Sequence, residues 1–294
     1  MSHLGIAITR AAASTPGDDG VLAKGMLTPE QRSRKVGVLP TKARLVVEAA
    51  RRCLDPDLTA AAGGRHRIGI SLGTVFGSMD SAEFCLLTPR NGGFSHVMPS
   101  WYAAGLPSAT AAIVATMLDL QGANLTVLGY QAGIEAIVMG CRQILAGRAS
   151  AMLAGGFDLP SERFTTWLRD TTVYEGALAI HPGVGLVCLS AVAEARNALA
   201  TIVGWSQGFL GPHDAAIDRV APLIEAAANG GRLARKPIIH LLYPGRKGRV
   251  DHLAATAPVH LVETIIERGP PGAYALIVKG FGTSAVCLLV EKQA

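Results

Sequence analysis

The sequence predicts one mixed α/β domain, on three observations. Asn124 to Leu145 reads as strand, sharp turn and helix in immediate succession. Along the rest of the chain, short apolar runs bounded by Gly or Pro alternate with segments of helical apolar period, the pattern of layered strands and helices. Hydrophobic residues make up 49% of the 294 and charged residues 17%. Such a chain can bury a large core and is too apolar for disorder.

The central stretch carries the most information. Leu125, Val127 and Leu128 form a short apolar run, as a buried strand would. Gly129 and Gly133 flank a reversal with little room for side chains. Ile134, Ile137, Val138, Cys141, Ile144 and Leu145 then recur at helical spacing. The turn residue, Gln131, therefore stands at a helix N-terminus, where free N–H groups point outward. Enzymes place nucleophiles on such elbows, but the amide of Gln131 is no nucleophile.

The other elements follow in order. Leu4 to Ile8 predicts a strand, with a looser segment over Ser14 to Gly20. Thr41 to Cys53 predicts a helix through Ala43, Leu45, Val46, Val47, Ala49 and Ala50. Arg67 to Leu72 predicts a strand running into the glycine turn Gly73-Thr74-Val75-Phe76-Gly77. Asn91 to Leu106 is rich in Gly, Pro and aromatics, and a helix through Ala111, Ile113, Val114, Met117 and Leu118 follows. Phe157 to Leu178 reads as a polar connection. Gly183 to Ser190 and Thr201 to Gly208 predict strands, joined by a turn and short helix over Ala191 to Ala198. Asp214 to Ala228 predicts a helix and Pro237 to Leu242 a strand. Val250 to Glu267 predicts a helix, with Pro258 as a kink or start. Tyr274 to Lys279 and Val286 to Val290 predict strands around the turn Gly280-Phe281-Gly282-Thr283.

Leu125 to Ala136, with Ile144-Leu145-Ala146-Gly147-Arg148-Ala149 and Ala154-Gly155-Gly156 downstream, resembles the nucleophile region of β-ketoacyl synthases of the thiolase fold. Gln131 stands where those enzymes have Cys. A Gln there, after Gly-Tyr and before Ala-Gly, resembles the chain-length-factor subunits of ketosynthase heterodimers. It also resembles loading ketosynthase domains that decarboxylate malonyl groups. The turn from Gly73 to Gly77, the segment Ala254 to Val262 and the turn from Gly280 to Thr283 resemble ketosynthase segments in the same order. The likeness runs from about Arg67 to the C-terminus. It implies a thiolase-like α/β fold of duplicated βαβ halves, layered α-β-α-β-α and shortened relative to full ketosynthases. Residues 1–294 then form a single ketosynthase-like domain, with an N-terminal half of about 1–180 and a C-terminal half of about 181–294.

A condensing ketosynthase needs a thiolate on an elbow, two histidines and an oxyanion hole. Gln131 cannot form a thioester, so the resemblance implies no catalytic residue in this chain and no condensing activity of its own. His240 ends a strand as the first family histidine does, yet Leu241-Leu242-Tyr243-Pro244 replaces the Gly-Thr-Gly-Thr that follows it in the family. The second histidine falls at Asp251 when counted back from Pro258, or at His252 with one gap. Both positions are degenerate. The resemblance implies a chain-length-factor subunit that pairs with a catalytic ketosynthase subunit in a bacterial type II polyketide synthase. Acyl chains would arrive on the phosphopantetheine of an acyl carrier protein. Met98, Trp101, Tyr102, Leu106, Thr110, Ile113 and Met117 are candidate walls of the acyl tunnel, each weighed against plain core packing. Modest side chains around Gly105-Leu106-Pro107 and the short second half point to a polyene or similarly reduced chain. The alternatives are a malonyl-carrier-protein decarboxylase and a carrier-binding scaffold.

Composition narrows the partners. The net charge is +5, with basic clusters at Arg32 to Lys35, Arg51-Arg52, Arg232 to Lys236 and Arg246 to Arg249. These read as solvated surface or as docking sites for an acidic partner. No aromatics interleave with them, which disfavours nucleic acid. No apolar run reaches membrane-spanning length, and no signal peptide is expected. The five cysteines lack metal-ligand or CxxC spacing, and reduced thiols in the cytoplasm are expected. No cofactor or metal is expected, and His96 reads as a loop histidine.

Overall fold

The computed structural model describes residues 5–15, 43–54, 67–96, 99–170, 179–195, 197–210, 217–228, 235–244 and 250–293. The chain runs β1 (Ile6–Ser14), α1 (Ala43–Cys53), β2 (Ile68–Thr74), α2 (Met79–Gly92), a 3-10 turn (Phe94–His96), α3 (Pro99–Ala104) and α4 (Ala109–Leu118). It continues through β3 (Asn124–Leu128), α5 (Ala132–Leu145), β4 (Ala151–Asp158), α6 (Glu162–Arg169), β5 (Ala179–Ile180), β6 (Gly183–Ala191) and β7 (Ala200–Phe209). The rest is α7 (Ile217–Ala227), β8 (Ile238–Leu242), β9 (Val250–Asp251), α8 (Thr256–His260), a π-helical turn (Leu261–Glu267), β10 (Gly272–Lys279) and β11 (Ser284–Lys292).

Among the described residues, nine strands form one sheet in the order β3-β2-β4-β6-β1-β7-β11-β10-β8. Its two halves meet at a short seam, where Ile6, Ala7 and Ile8 pair with Ile202, Thr201 and Ala200. Between the halves lies a core built from Ile134, Ile137 and Cys141 of α5 and from Ala257, Leu261 and Ile265 around α8. Outside the first half, α1 and α4 cover the sheet through Val46, Ala50, Val114 and Met117. Outside the second half, α7 covers it through Val220 and Leu223. Helix, sheet, helix pair, sheet and helix thus stack in five layers, as the thiolase-like resemblance implies. The first turn of α5 packs closely against the turn that leads into α8. A Cβ built on Gly133 would lie 2.2 Å from the Ala254 carbonyl oxygen.

Four expectations are corrected. β1 continues to Ser14, because it pairs with β6 along its whole length. β3 is not a buried strand: it is the sheet's edge, and Leu128 is 60% exposed. The stretch from Phe157 to Leu178 is not a plain polar connection. Phe157 and Asp158 end β4, and the Ser161 hydroxyl accepts from Phe164 N at 3.2 Å to cap α6. Val250 to Glu267 is not one helix. Val250 and Asp251 pair with β5, and Leu253 turns the chain at φ +56° before α8 begins. Pro258 sits in the first turn of α8, where its missing N–H has no intrahelical partner to lose. The helix α2 was not anticipated: its apolar residues follow no clear stripe and Pro89 lies inside it.

Candidate functional site around Gln131

Gln131 caps the N-terminus of α5, directly after β3, so the strand–turn–helix elbow is present. Its amide does not point into open space. Nε2 donates to Ser284 Oγ at 3.1 Å, and the same hydroxyl lies 3.4 Å from Gln131 Oε1. Nε2 also lies 3.4 Å from Glu135 Oε1, which accepts from Gln207 Nε2 at 3.2 Å. The amide packs over Gly280: a Cβ built there would lie 2.0 Å from Gln131 Oε1. The loop Gly280 to Thr283 and the elbow therefore form one closed contact.

Tyr130, the residue before the elbow, is buried and donates to Asp251 Oδ2 at 3.1 Å. Its ring meets Phe281 edge-on, with centroids 5.4 Å apart. Asp251 Oδ1 accepts from Leu253 N at 2.7 Å and Thr256 Oγ1 at 2.9 Å. Of the two sequence candidates for the second histidine position, Asp251 is the one joined to the elbow. His252 turns elsewhere. Its Nδ1 lies 3.3 Å from His181 O and 3.2 Å from Pro182 O. A carbonyl only accepts, so Nδ1 carries the proton. Burial pushes the His252 pKa below its ordinary value.

His240 is also remote from the elbow. It lies opposite Leu276 on β10, which precedes Gly280 by four residues, roughly 13 Å along the strand. Its Nδ1 is 2.7 Å from His260 Nε2. Cys141 is buried in α5 with its thiol pushed up to about 12 by burial, so it offers no thiolate.

A buried carboxylate escaped the sequence reading. Asp158 is fully enclosed and accepts from Thr74 Oγ1 at 2.7 Å, Phe76 N at 3.0 Å and Ala254 N at 2.8 Å. Val75 N donates to both its oxygens, at 3.1 and 3.0 Å. Asp158 thus ties the Thr74–Gly77 turn to the start of α8. Burial outweighs these donors and pushes its pKa up to about 6. The available signal was a lone acid closing the apolar run Ala151 to Phe157.

The tunnel candidates divide. Tyr102 and Leu106 are exposed, at 65% and 49%. Thr110 is buried with its hydroxyl 3.2 Å from Ser78 Oγ. Met117 and, less completely, Ile113 pack into the outer core with α1. Trp101 lies in α3, its side chain outside the described residues, and Met98 lies outside them altogether. His96 is exposed, with Nδ1 3.3 Å from Ser95 Oγ. Of the basic clusters, Arg51 pairs with Glu48 at 3.7 Å on the surface of α1. Residues 32–35, 232–234 and 246–249 lie outside the described residues. Among the described residues, no helix is long and apolar enough to cross a membrane.

Residues 30–171 match the β-ketoacyl synthase N-terminal domain family. No curated protein matches the chain. Three solved structures resemble it throughout. The ishigamide ketosynthase/chain length factor is 18% identical, with 99% of this chain and 100% of that one covered and a TM-score of 0.70. AntDE:AntF, a type II PKS acyl-carrier protein in complex with its ketosynthase bound to the hexaketide, is 15% identical, with 100% of both chains covered and a TM-score of 0.69. A β-ketoacyl synthase from Burkholderia phymatum STM815 is 15% identical, with 100% of both covered and a TM-score of 0.66. Residues 30–171 are thus similar to the β-ketoacyl synthase N-terminal domain, and over its length the chain has the thiolase-like fold of ketosynthases.

Proposed function

We propose that this chain is the non-catalytic, chain-length-factor subunit of a ketosynthase heterodimer. One observation carries the reading. The elbow presents a Gln amide bonded to Ser284 and seated on Gly280, where condensation requires a free thiolate. The histidines that would act on malonyl are engaged with His260 and with backbone carbonyls. The catalytic Cys and histidines would come from the partner.

The partner surface is the edge of the first half-sheet. Among the described residues β3 has no strand partner on one side, and Leu128, Tyr102 and Leu106 expose apolar area. An unpaired apolar edge is a template for pairing with another chain. In this reading an acyl carrier protein delivers acyl groups on phosphopantetheine to the catalytic subunit. Tyr102 and Leu106 become buried and wall the end of the acyl tunnel. Leu106 and its small neighbours favour a polyene or similarly reduced product.

The test is co-expression with a ketosynthase encoded beside this chain, followed by size and mass analysis. A stable one-to-one complex is the expected result. A homodimer that ignores the ketosynthase and releases carbon dioxide from malonyl carrier protein would replace this reading with the decarboxylase.

A further inference from the structure

A pair of histidines takes no part in the site above. His240 lies on β8, which among the described residues has a strand neighbour, β10, on one side only. Its side chain shares a face with Leu242, which belongs to the central core. His260 ends α8, where the helix widens into the π-helical turn, a local form often found at functional positions. His260 Nε2 and His240 Nδ1 are 2.7 Å apart, and the ring centroids are 4.8 Å apart. His260 Nδ1 in turn lies 3.2 Å from Thr264 Oγ1. The imidazole bond ties an edge strand to the central helix layer.

Proton count decides whether this bond exists. With both rings neutral, one proton sits between the facing nitrogens. Either tautomer works, because the Thr264 hydroxyl can donate or accept. One added proton leaves the bond intact and charge-assisted. A second proton sets N–H against N–H, which ends the bond and leaves two cations face to face. Glu263 lines the cavity of about 150 Å³ that His260, Leu242 and Tyr243 also line. Asp251 and His252 also line it, and Asp251 is held by Tyr130, Leu253 and Thr256. Glu267, at the end of the π-helical turn, is exposed. From β10, Tyr274 stands 5.9 Å from His240 with its phenol pushed up by burial, so it stays neutral. β1 and β6 bring Ile6, Ile8, Val187 and Leu189 to this core.

We propose that His240 and His260 form an acid-released latch. It holds β8 to α8 while the pair carries at most one proton. A second proton parts strand from helix and opens the cavity between them.

The experiment follows the two ring resonances by NMR, together with amide exchange of Ile239 to Leu242, from pH 8 to about 4.5. The expected result is two coupled steps, with amide protection on β8 falling about tenfold or more across the second. In His240→Phe this fall should vanish, while in His252→Gln it should persist. Should His240→Phe fail to fold, His260→Gln takes its place, since an amide keeps a hydrogen bond to His240 and never charges. Independent single-step titration of the two rings, or an equal loss of protection in the latch variant, would overturn the proposal.

Discussion

Gln131 and Ser284 meet amide to hydroxyl at 3.1 Å, joining the residue before α5 to the first residue of β11. The two residues are 153 positions apart in sequence. Gly280 makes the contact possible by having no side chain where the Gln131 amide lies.

Gly280→Ala should therefore act through Gln131. The new methyl would expel the amide from its seat, at a cost of about 1–2 kcal/mol in lost hydrogen bonds. In a Gln131→Ala background the same substitution should cost almost nothing. Denaturant unfolding of the two single variants and the double variant measures the coupling, and additive losses would show that the amide and the loop do not share this space.

Gln131→Cys should return a thiol to the elbow without returning condensation. His240 and His252 remain bonded elsewhere, so neither histidine faces the new thiol. Acyl transfer and carbon–carbon bond formation by the isolated variant are the readouts. Turnover well above the parent protein would mean that the histidines swing into the site.

Leu128→Arg should separate folding from assembly. At 60% exposure the side chain contributes little to the fold, so stability should change by no more than about 0.5 kcal/mol. Under the proposed heterodimer, co-purification with the ketosynthase subunit should be lost, because a charge would enter the interface. Retained one-to-one assembly would move the partner surface away from β3.

Asp158→Asn should destabilise the protein by about 1–3 kcal/mol at neutral pH, since an amide turns donors toward the N–H groups of Val75 and Ala254. It should also change the pH dependence. The folded carboxyl titrates near about 6, against 3.8 ordinarily. Between these values the folded chain holds the extra proton, so this group's contribution is full below 3.8 and is lost as pH rises through about 6. His252 works in the opposite sense, stabilising above its ordinary value and losing that as pH falls. It is common to both proteins and cancels in the difference. Urea unfolding from pH 4 to 7 should show parent stability declining relative to the variant as pH rises, and parallel curves would refute the assignment.

Much of the fold was legible from residue spacing. The strand before Gln131, the helix after it and the paired strands around Gly280 follow from apolar period and glycine placement. The helix over Met79–Gly92 was not legible, because Pro89 and a scattered apolar pattern hide it. The broken run from Val250 to Glu267 has helical period throughout. Its bend comes from hydrogen bonds to Asp251 and Asp158, and the latter is distant in sequence.

By itself, the sequence determined the local chemistry: a Gln on an elbow, no thiol there, and the apolar periods that build strands and helices. Those are short-range properties, set by residue type and by contacts within a turn or two. Tertiary structure alone decided what each polar group faces. It seated the Gln131 amide on Gly280, turned His252 to the carbonyls of His181 and Pro182, joined His240 to His260 and enclosed Asp158. It also left β3 at an open edge, so that Leu128 meets solvent. The physical reason is that hydrogen bonding and burial depend on which strands become neighbours, and pairings such as Tyr130 with Asp251, 121 residues apart, leave no periodic trace in sequence.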